Sequence, residues 1–193
     1  MVDRACPEFI KGLTITNITM VLSDKDIKKL IENKRLGIEP FDSDDIRESS
    51  VKLHLDSKII VFDSDQTIDL QSDDNEILKQ EIMIDDGYIL KPNEFVLACT
   101  KERVKIPNGI MGWIETRGSY AKIGLQAHFC DAHIDPGSDL KITLQLKNNS
   151  NHKIKIYTGL YVVKMYLFQM SSDSEKEYDG EFQNSDGLKI SIQ

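Results

Sequence analysis

Between residues 107 and 140 the sequence gathers side chains and turn residues suited to holding an anion. PNG at 107–109, RGS at 117–119, KIG at 122–124 and HIDPG at 133–137 follow one another closely. Arg117 and Lys122 flank a Gly118-Ser119 turn at a helix start, and two cations, a hydroxyl and free backbone N–H groups are what a phosphate oxygen seeks. The same Gly118-Ser119 pair also reads as an ordinary helix cap. Asp135, ahead of Pro136-Gly137, has the form of a β-turn aspartate. His128 and His133 flank that turn and read as loop histidines rather than ligands or bases. Trp113 reads as a core residue and Cys130 as a small buried hydrophobe.

Familiar catalytic texts are missing. There is no GxSxG, P-loop, GxGxxG, HExxH, or HxE with a downstream CxxC. Zinc deaminase chemistry is therefore excluded, and no metal-ligand spacing is present. The three cysteines, Cys6, Cys99 and Cys130, form neither a disulfide framework nor a CxxC site, which reads as reduced thiols in a cytoplasm. The first residues, MVDRACP, lack the apolar run of a secretory signal.

A formal net charge of −8 and the lack of any basic block argue against holding nucleic acid by counterion release. A small polyanion needs only local positive charge and stays open. Apolar stretches such as Leu160–Val163 and Phe95–Cys99 are strand-sized, well short of the ~18–20 residues of a membrane span. At 193 residues the chain is long enough for one soluble globular domain with a full core.

The elements that must position these residues follow from periodicity. Ser23 caps an amphipathic helix over about 23–34, with Ile27, Leu30 and Ile31 on one face. After Pro40 the period shifts towards two. Strands are expected at Val51–Leu55, Lys58–Phe62, Thr67–Leu70, Glu81–Ile84, Gly87–Leu90, Glu94–Thr100 and Arg103–Ile106. Further strands are expected at Gly109–Glu115, Ile142–Leu146, Lys153–Tyr157 and Leu160–Phe168, with a short helix over Arg117–Gly124. About ten short strands with regular turn signals indicate an all-β sandwich or barrel. Residues 1–19 read as an extension. The acidic tail from Ser171 reads as loop or disorder, although LKISI at 188–192 alternates and could dock on a sheet edge.

Three stretches carry a family resemblance: LKPNEFVLACTKERVKIP at 90–107, GWIETRGSYAKIGL at 112–125 and HIDPG at 133–137. Together with the opening MVLSDKDI at 20–27, they resemble the dCTP deaminase and dUTPase superfamily over residues 20–193. The resemblance implies a mainly β subunit, a distorted β-barrel or jelly roll of the dUTPase-like type with one N-terminal helix. It also implies a homotrimer with pyrimidine deoxynucleotide sites shared between subunits, a 20–170 barrel domain and a 171–193 tail acting as a lid.

Carried over by residue, the resemblance assigns phosphate binding to Arg117, Ser119 and Lys122. Gly118 stands where the family has a serine and Lys122 where it has an arginine, which exchanges a planar fork of donors for a point charge. Ile134 and Asp135 fall in the base and sugar pocket, where Asp135 would position the sugar or orient a water. The family's catalytic glutamate, the general acid and base of deamination, is Gln145 here, and an amide exchanges no proton near neutral pH. Ser138 and Leu140 replace an aromatic residue and a glycine. Lys52 stands where an acid normally recruits magnesium. In the lid, Tyr178 is kept, while Glu177 and Glu181 bring negative charge towards a polyphosphate.

Two functions follow from the resemblance. The first is a family protein that binds a pyrimidine deoxynucleoside triphosphate between subunits, a dCTP deaminase or dUTP diphosphatase whose deamination is impaired at Gln145. The second is a non-catalytic trimer acting as nucleotide sensor or protein-interaction module. No cofactor is required by the residues themselves. Mg²⁺ would enter only with a bound triphosphate.

Overall fold

The computed structural model describes residues 21–62, 67–71 and 77–190. The opening extension and the last residues of the alternating LKISI run lie outside them.

Helix α1 (Asp24–Glu32) begins at Ser23, whose hydroxyl accepts from the Asp26 N–H while the Asp26 carboxylate accepts from the Ser23 N–H. This reciprocal bonding satisfies two donors that a helix start leaves open. Ile27 is fully buried, and Leu30 and Ile31 pack beside it on the core.

Twelve strands follow. They are β1 (Gly37–Glu39), β2 (Ile46–Arg47), β3 (Ser50–Phe62), β4 (Lys79–Met83), β5 (Tyr88–Leu90) and β6 (Phe95–Lys105), then β7 (Ile110–Thr116), β8 (Leu125–Gln126), β9 (His133–Ile134), β10 (Asp139–Asn148), β11 (Ile154–Ile156) and β12 (Tyr161–Gln169). A one-turn helix, α2 (Gly118–Ala121), lies between β7 and β8. The main sheet runs β8-β10-β6-β3-β12-β7-β9, with β1 added to β6 and β2 and β4 to β3, and β5 pairs with β11 in a second small sheet. Every pairing is antiparallel. The fold is mainly β, with a curled, barrel-like main sheet.

Two pairs of expected strands are in fact single long ones. Residues 51–55 and 58–62 are both β3, joined through a register shift between Leu55 and Ile59. The first half of β3 pairs with β12 and the second with β4 and β6, so this irregularity lets the sheet curl around its core. Likewise 94–100 and 103–106 are both β6. Residues 67–70 form no strand, and neither do 188–190.

Core positions follow the two-residue period. Along β10, Ile142, Leu144, Leu146 and Asn148 are buried, while Lys141, Thr143, Gln145 and Lys147 are half-exposed between them. Trp113 does not join the core, contrary to the sequence reading, and is 38% exposed. Parity explains this: Gly112 and Ile114 take the inward positions of β7, and a Cβ on Gly112 would meet Ile106 Cδ1 at 2.8 Å. The indole N–H instead donates to Glu115 Oε1 at 3.0 Å. Cys130 is also exposed rather than buried, on the connection from β8 to β9.

From 171 to 190 the chain has no regular structure, yet it is fastened to the sheet. Tyr178 N–H donates to Pro136 O at 3.0 Å, and Gln183 donates to Gly137 O and accepts from Asp139 N–H, both at 2.9 Å. Lys141 N–H donates to Ser185 O at 2.9 Å. Gly137 has a positive φ of 84°, and a Cβ there would meet the Glu177 Cβ at 2.7 Å, so the tail crosses where only glycine fits.

Candidate functional site

Strands β6, β7, β9 and β10 and the returning tail enclose a cavity of about 330 Å³. Leu97, Ile114, Ile134 and Ile142 give it apolar walls, and Tyr178, Phe182 and Ile190 of the tail line it on an open side. Asp135, Thr143 and Gln145 supply polar groups. The volume and the even mixture of apolar and polar lining, which also includes His133, Lys141 and Lys189, suit a small polar ligand.

The fold fixes how Gln145 presents itself. Its Oε1 accepts from the backbone N–H groups of Phe129 at 3.0 Å and Cys130 at 3.1 Å. Two donors converging on one atom identify it as the carbonyl oxygen, which leaves the NH₂ group as the part free to meet a ligand. The loop that turns these two N–H groups towards Gln145 leaves the Cys130 side chain outside. Asp135 sits in a turn closed by Ser138 N–H to Asp135 O at 3.2 Å. Its half-exposed carboxylate lines the cavity, 3.5 Å from His133 Nδ1. Asp135 therefore occupies a turn and faces the cavity at once.

Lys141, which also lines the cavity, forms an ion pair that the sequence gives no sign of. Lys141 Nζ lies 2.7 Å from Asp56 Oδ2, which the irregularity in β3 turns towards it. Burial pulls the Asp56 carboxyl up, but the Lys141 ammonium and the Ser57 N–H outweigh it and hold it below the usual carboxylate value. Burial lowers the Lys141 ammonium, and Asp56 outweighs that and raises it. Beneath the pair, burial and then the Asp56 charge push the Cys99 thiol up to about 12.

Arg117, Ser119 and Lys122 are elsewhere. They line a second cavity of about 650 Å³, together with Arg47, Lys52, Tyr161, Lys164 and Tyr166. The two cavities share no residue. The Arg117 guanidinium lies 4.7 Å from the Tyr120 ring centre and 4.9 Å from that of Tyr161, which fixes its plane. Burial raises the Tyr161 phenol, with Arg117 pulling the other way. Arg117 is the N-cap of α2, and no side chain caps the helix, so the Gly118-Ser119 pair does not play the capping role.

Of the two residues that the resemblance assigns to a lid, Tyr178 lines the first cavity and Glu181 does not. The Glu181 carboxylate lies 3.7 Å from Lys189 Nζ, and its carbonyl accepts from the same ammonium at 2.7 Å. The charge expected to repel a polyphosphate is thus partnered. Sequence reasoning missed Arg47, Lys164, Tyr161, Lys141, Asp56 and the tail residues Phe182, Lys189 and Ile190. Most are brought in by strand register or by the fold-back of the tail, neither of which local spacing reports.

Comparison with known proteins agrees with this architecture. A family model described as dCTP deaminase-like matches residues 21–170. A protein of Corynebacterium glutamicum strain R named dCTP deaminase, dUMP-forming, is 40% identical over 162 residues, 82% of this chain and 86% of that one. One of the same name from Persephonella marina is 32% identical over 174 residues, 89% of this chain and 96% of that one. Among solved structures, the 2'-deoxycytidine 5'-triphosphate deaminase of Agrobacterium tumefaciens superposes with a TM-score of 0.64 at 17% identity. That match covers 79% of this chain and 49% of the other, so the chain spans about half of that structure's length.

Proposed function

The chain belongs to the dCTP deaminase-like family, and on that basis we propose that it binds a pyrimidine deoxynucleoside triphosphate in the cytoplasm without deaminating it by the family's route. The base enters the cavity of Gln145 and Asp135, and the phosphate chain lies on Arg117, Ser119 and Lys122. Because those residues line separate cavities, the complete site takes one half from each of two neighbouring copies in a homotrimer. That arrangement agrees with the exposure of both cavities on a single chain.

The observation that carries the reading is Gln145. Its carbonyl oxygen is occupied by two backbone N–H groups, so it meets a base through an NH₂ group that neither takes nor gives a proton near neutral pH. A positioned general acid and base contributes about 10²–10⁴ in rate, and that contribution is lost. Asp135, by contrast, is an aspartate lining the cavity, and the reading gives it the orienting of a water and a slow hydrolysis of the triphosphate as residual chemistry.

The test is calorimetric binding of dCTP, dUTP and dTTP with a product assay on the same samples. The reading expects micromolar binding with no deaminated product from dCTP. Rapid appearance of dUMP from dCTP would overturn the assignment of Gln145. No binding of any of the three would favour the second reading, a trimer whose partner is a protein.

A further inference from the structure

The second cavity has an electrostatic oddity that its phosphate motif does not explain. Lys164 of β12 stands directly opposite Lys52 of β3 in the sheet register, and both line the cavity. Like charges directly opposed across strands are destabilising. Arg47, Arg117 and Lys122 line the same cavity, and Glu48 is its one lining carboxylate among the described residues.

Local acids offset only part of this charge. Lys52 donates to Asp44 O at 2.7 Å and lies 3.4 Å from Asp45 Oδ1. Glu48 reaches only Arg47, at 3.6 Å, on an exposed rim. Glu115 is the β7 neighbour of Lys164, but its carboxylate already accepts from Trp113 and from His128. For Arg117, Lys122 and Lys164 no ion pair with a carboxylate is formed among the described residues. Such a cluster costs stability when empty and is repaid in binding by an anion of high charge.

A divalent cation does not fit the cavity. It would meet two opposed ammonium groups on the sheet, and the magnesium-recruiting acid implied by the family resemblance is Lys52. We propose that this cavity takes a polyphosphate chain free of divalent metal, with Lys52 and Lys164 supplying the positive charge that Mg²⁺ would otherwise bring. The inference rests on the reading that the phosphate chain lies here. It adds two phosphate-binding residues and reverses the metal dependence, because Mg²⁺ reduces the charge that the lysines hold.

The experiment uses the full-length protein with two probes, inorganic tripolyphosphate and dUTP, titrated calorimetrically in EDTA and in excess Mg²⁺. Both bind in EDTA, and Mg²⁺ weakens tripolyphosphate by about tenfold or more. Lys52→Met and Lys164→Met each weaken it by a similar factor, while the unliganded melting temperature of Lys164→Met, which loses no ion pair among the described residues, holds or rises as the like-charge contact is relieved. Lys52→Asp loses affinity in EDTA and recovers it in Mg²⁺, a reversal that a purely structural lysine would not produce. Binding of dUTP only with Mg²⁺ would overturn the inference and leave the nucleotide reading standing. Undiminished affinity in both Met variants would also overturn it, whereas no binding of either probe in either buffer would remove both readings.

Discussion

Replacing Gln145 with glutamate is the most informative change to the base cavity. The new carboxylate is nearly isosteric with the amide and inherits its two donors, the N–H groups of Phe129 at 3.0 Å and Cys130 at 3.1 Å. One oxygen is therefore held where the amide oxygen was, and the other replaces the NH₂ group facing the cavity. Two backbone donors favour the ionised form, so the group starts as a base able to take a proton from water. General acid and base catalysis is worth about 10²–10⁴ in rate, or roughly 3–5 kcal/mol of barrier. Gln145→Glu should raise dCTP deamination at least 100-fold, measured as ammonia release under single-turnover conditions, while dCTP affinity changes only a few-fold. A variant that keeps its melting temperature and its dCTP affinity but shows no rise would refute the argument that position 145 alone withholds the proton transfer.

Three further outcomes follow from the contacts described. The Asp56–Lys141 pair, with both side chains about a quarter exposed, should contribute on the order of 1–2 kcal/mol, between a surface pair and a fully buried one. Because the folded Asp56 carboxyl lies below its unfolded value near 3.9, that contribution is present above about pH 4 and is lost as pH falls through the folded value. Urea midpoints of wild type and Asp56→Asn should accordingly differ at pH 7 and converge in acid, and a gap that persists at low pH would contradict the pairing. In thiol labelling at pH 8 followed by peptide mapping, exposed Cys130 should react at once, whereas Cys99, buried and pushed up to about 12, should react only on unfolding. Arg103, which donates to Asp139 Oδ1 at 2.6 Å and also reaches Asn184 and Asp186, ties the tail to β10. Arg103→Met should make residues 171–190 several-fold more sensitive to limited proteolysis, and unchanged cleavage would show that the Tyr178 backbone bond, the Gln183 side-chain amide and the Lys141 N–H to Ser185 O bond hold the tail without it.

Local patterns in the sequence sufficed for α1, whose capping box and apolar spacing are contained in about ten residues, and for the long strands with strict alternation. They failed where the deciding contact is distant. Strands β2, β8 and β9 are two residues each, too short to carry a period, and exist because longer partners lie beside them. Asp56-Ser57 looks like a turn between two strands. The continuous ladder of β3 absorbs it as an irregularity, which in turn aims Asp56 at Lys141. Trp113 was misread because aromatic size suggested burial, although Gly112 beside it was the better clue. A glycine is needed on the inward position, so its neighbour must point out.

The same division between local and distant information governs the site. The identity of residue 145 is local, and an amide there is already enough to propose that proton transfer is lost. How the amide is turned depends on two N–H groups from a loop some fifteen residues earlier, and only that orientation shows that an NH₂ group, rather than a carbonyl, is left for a ligand. The lysine at position 52 likewise reads in sequence as a lost acid. Set opposite Lys164 by the register of β3 and β12, it becomes half of a positive cradle beside Arg117. On the proposed reading the two substitutions have different consequences: Gln145 removes a chemical step, whereas Lys52 exchanges one means of holding charge for another. The proposed retention of anion binding alongside loss of deamination gives each of the two residues a physical role.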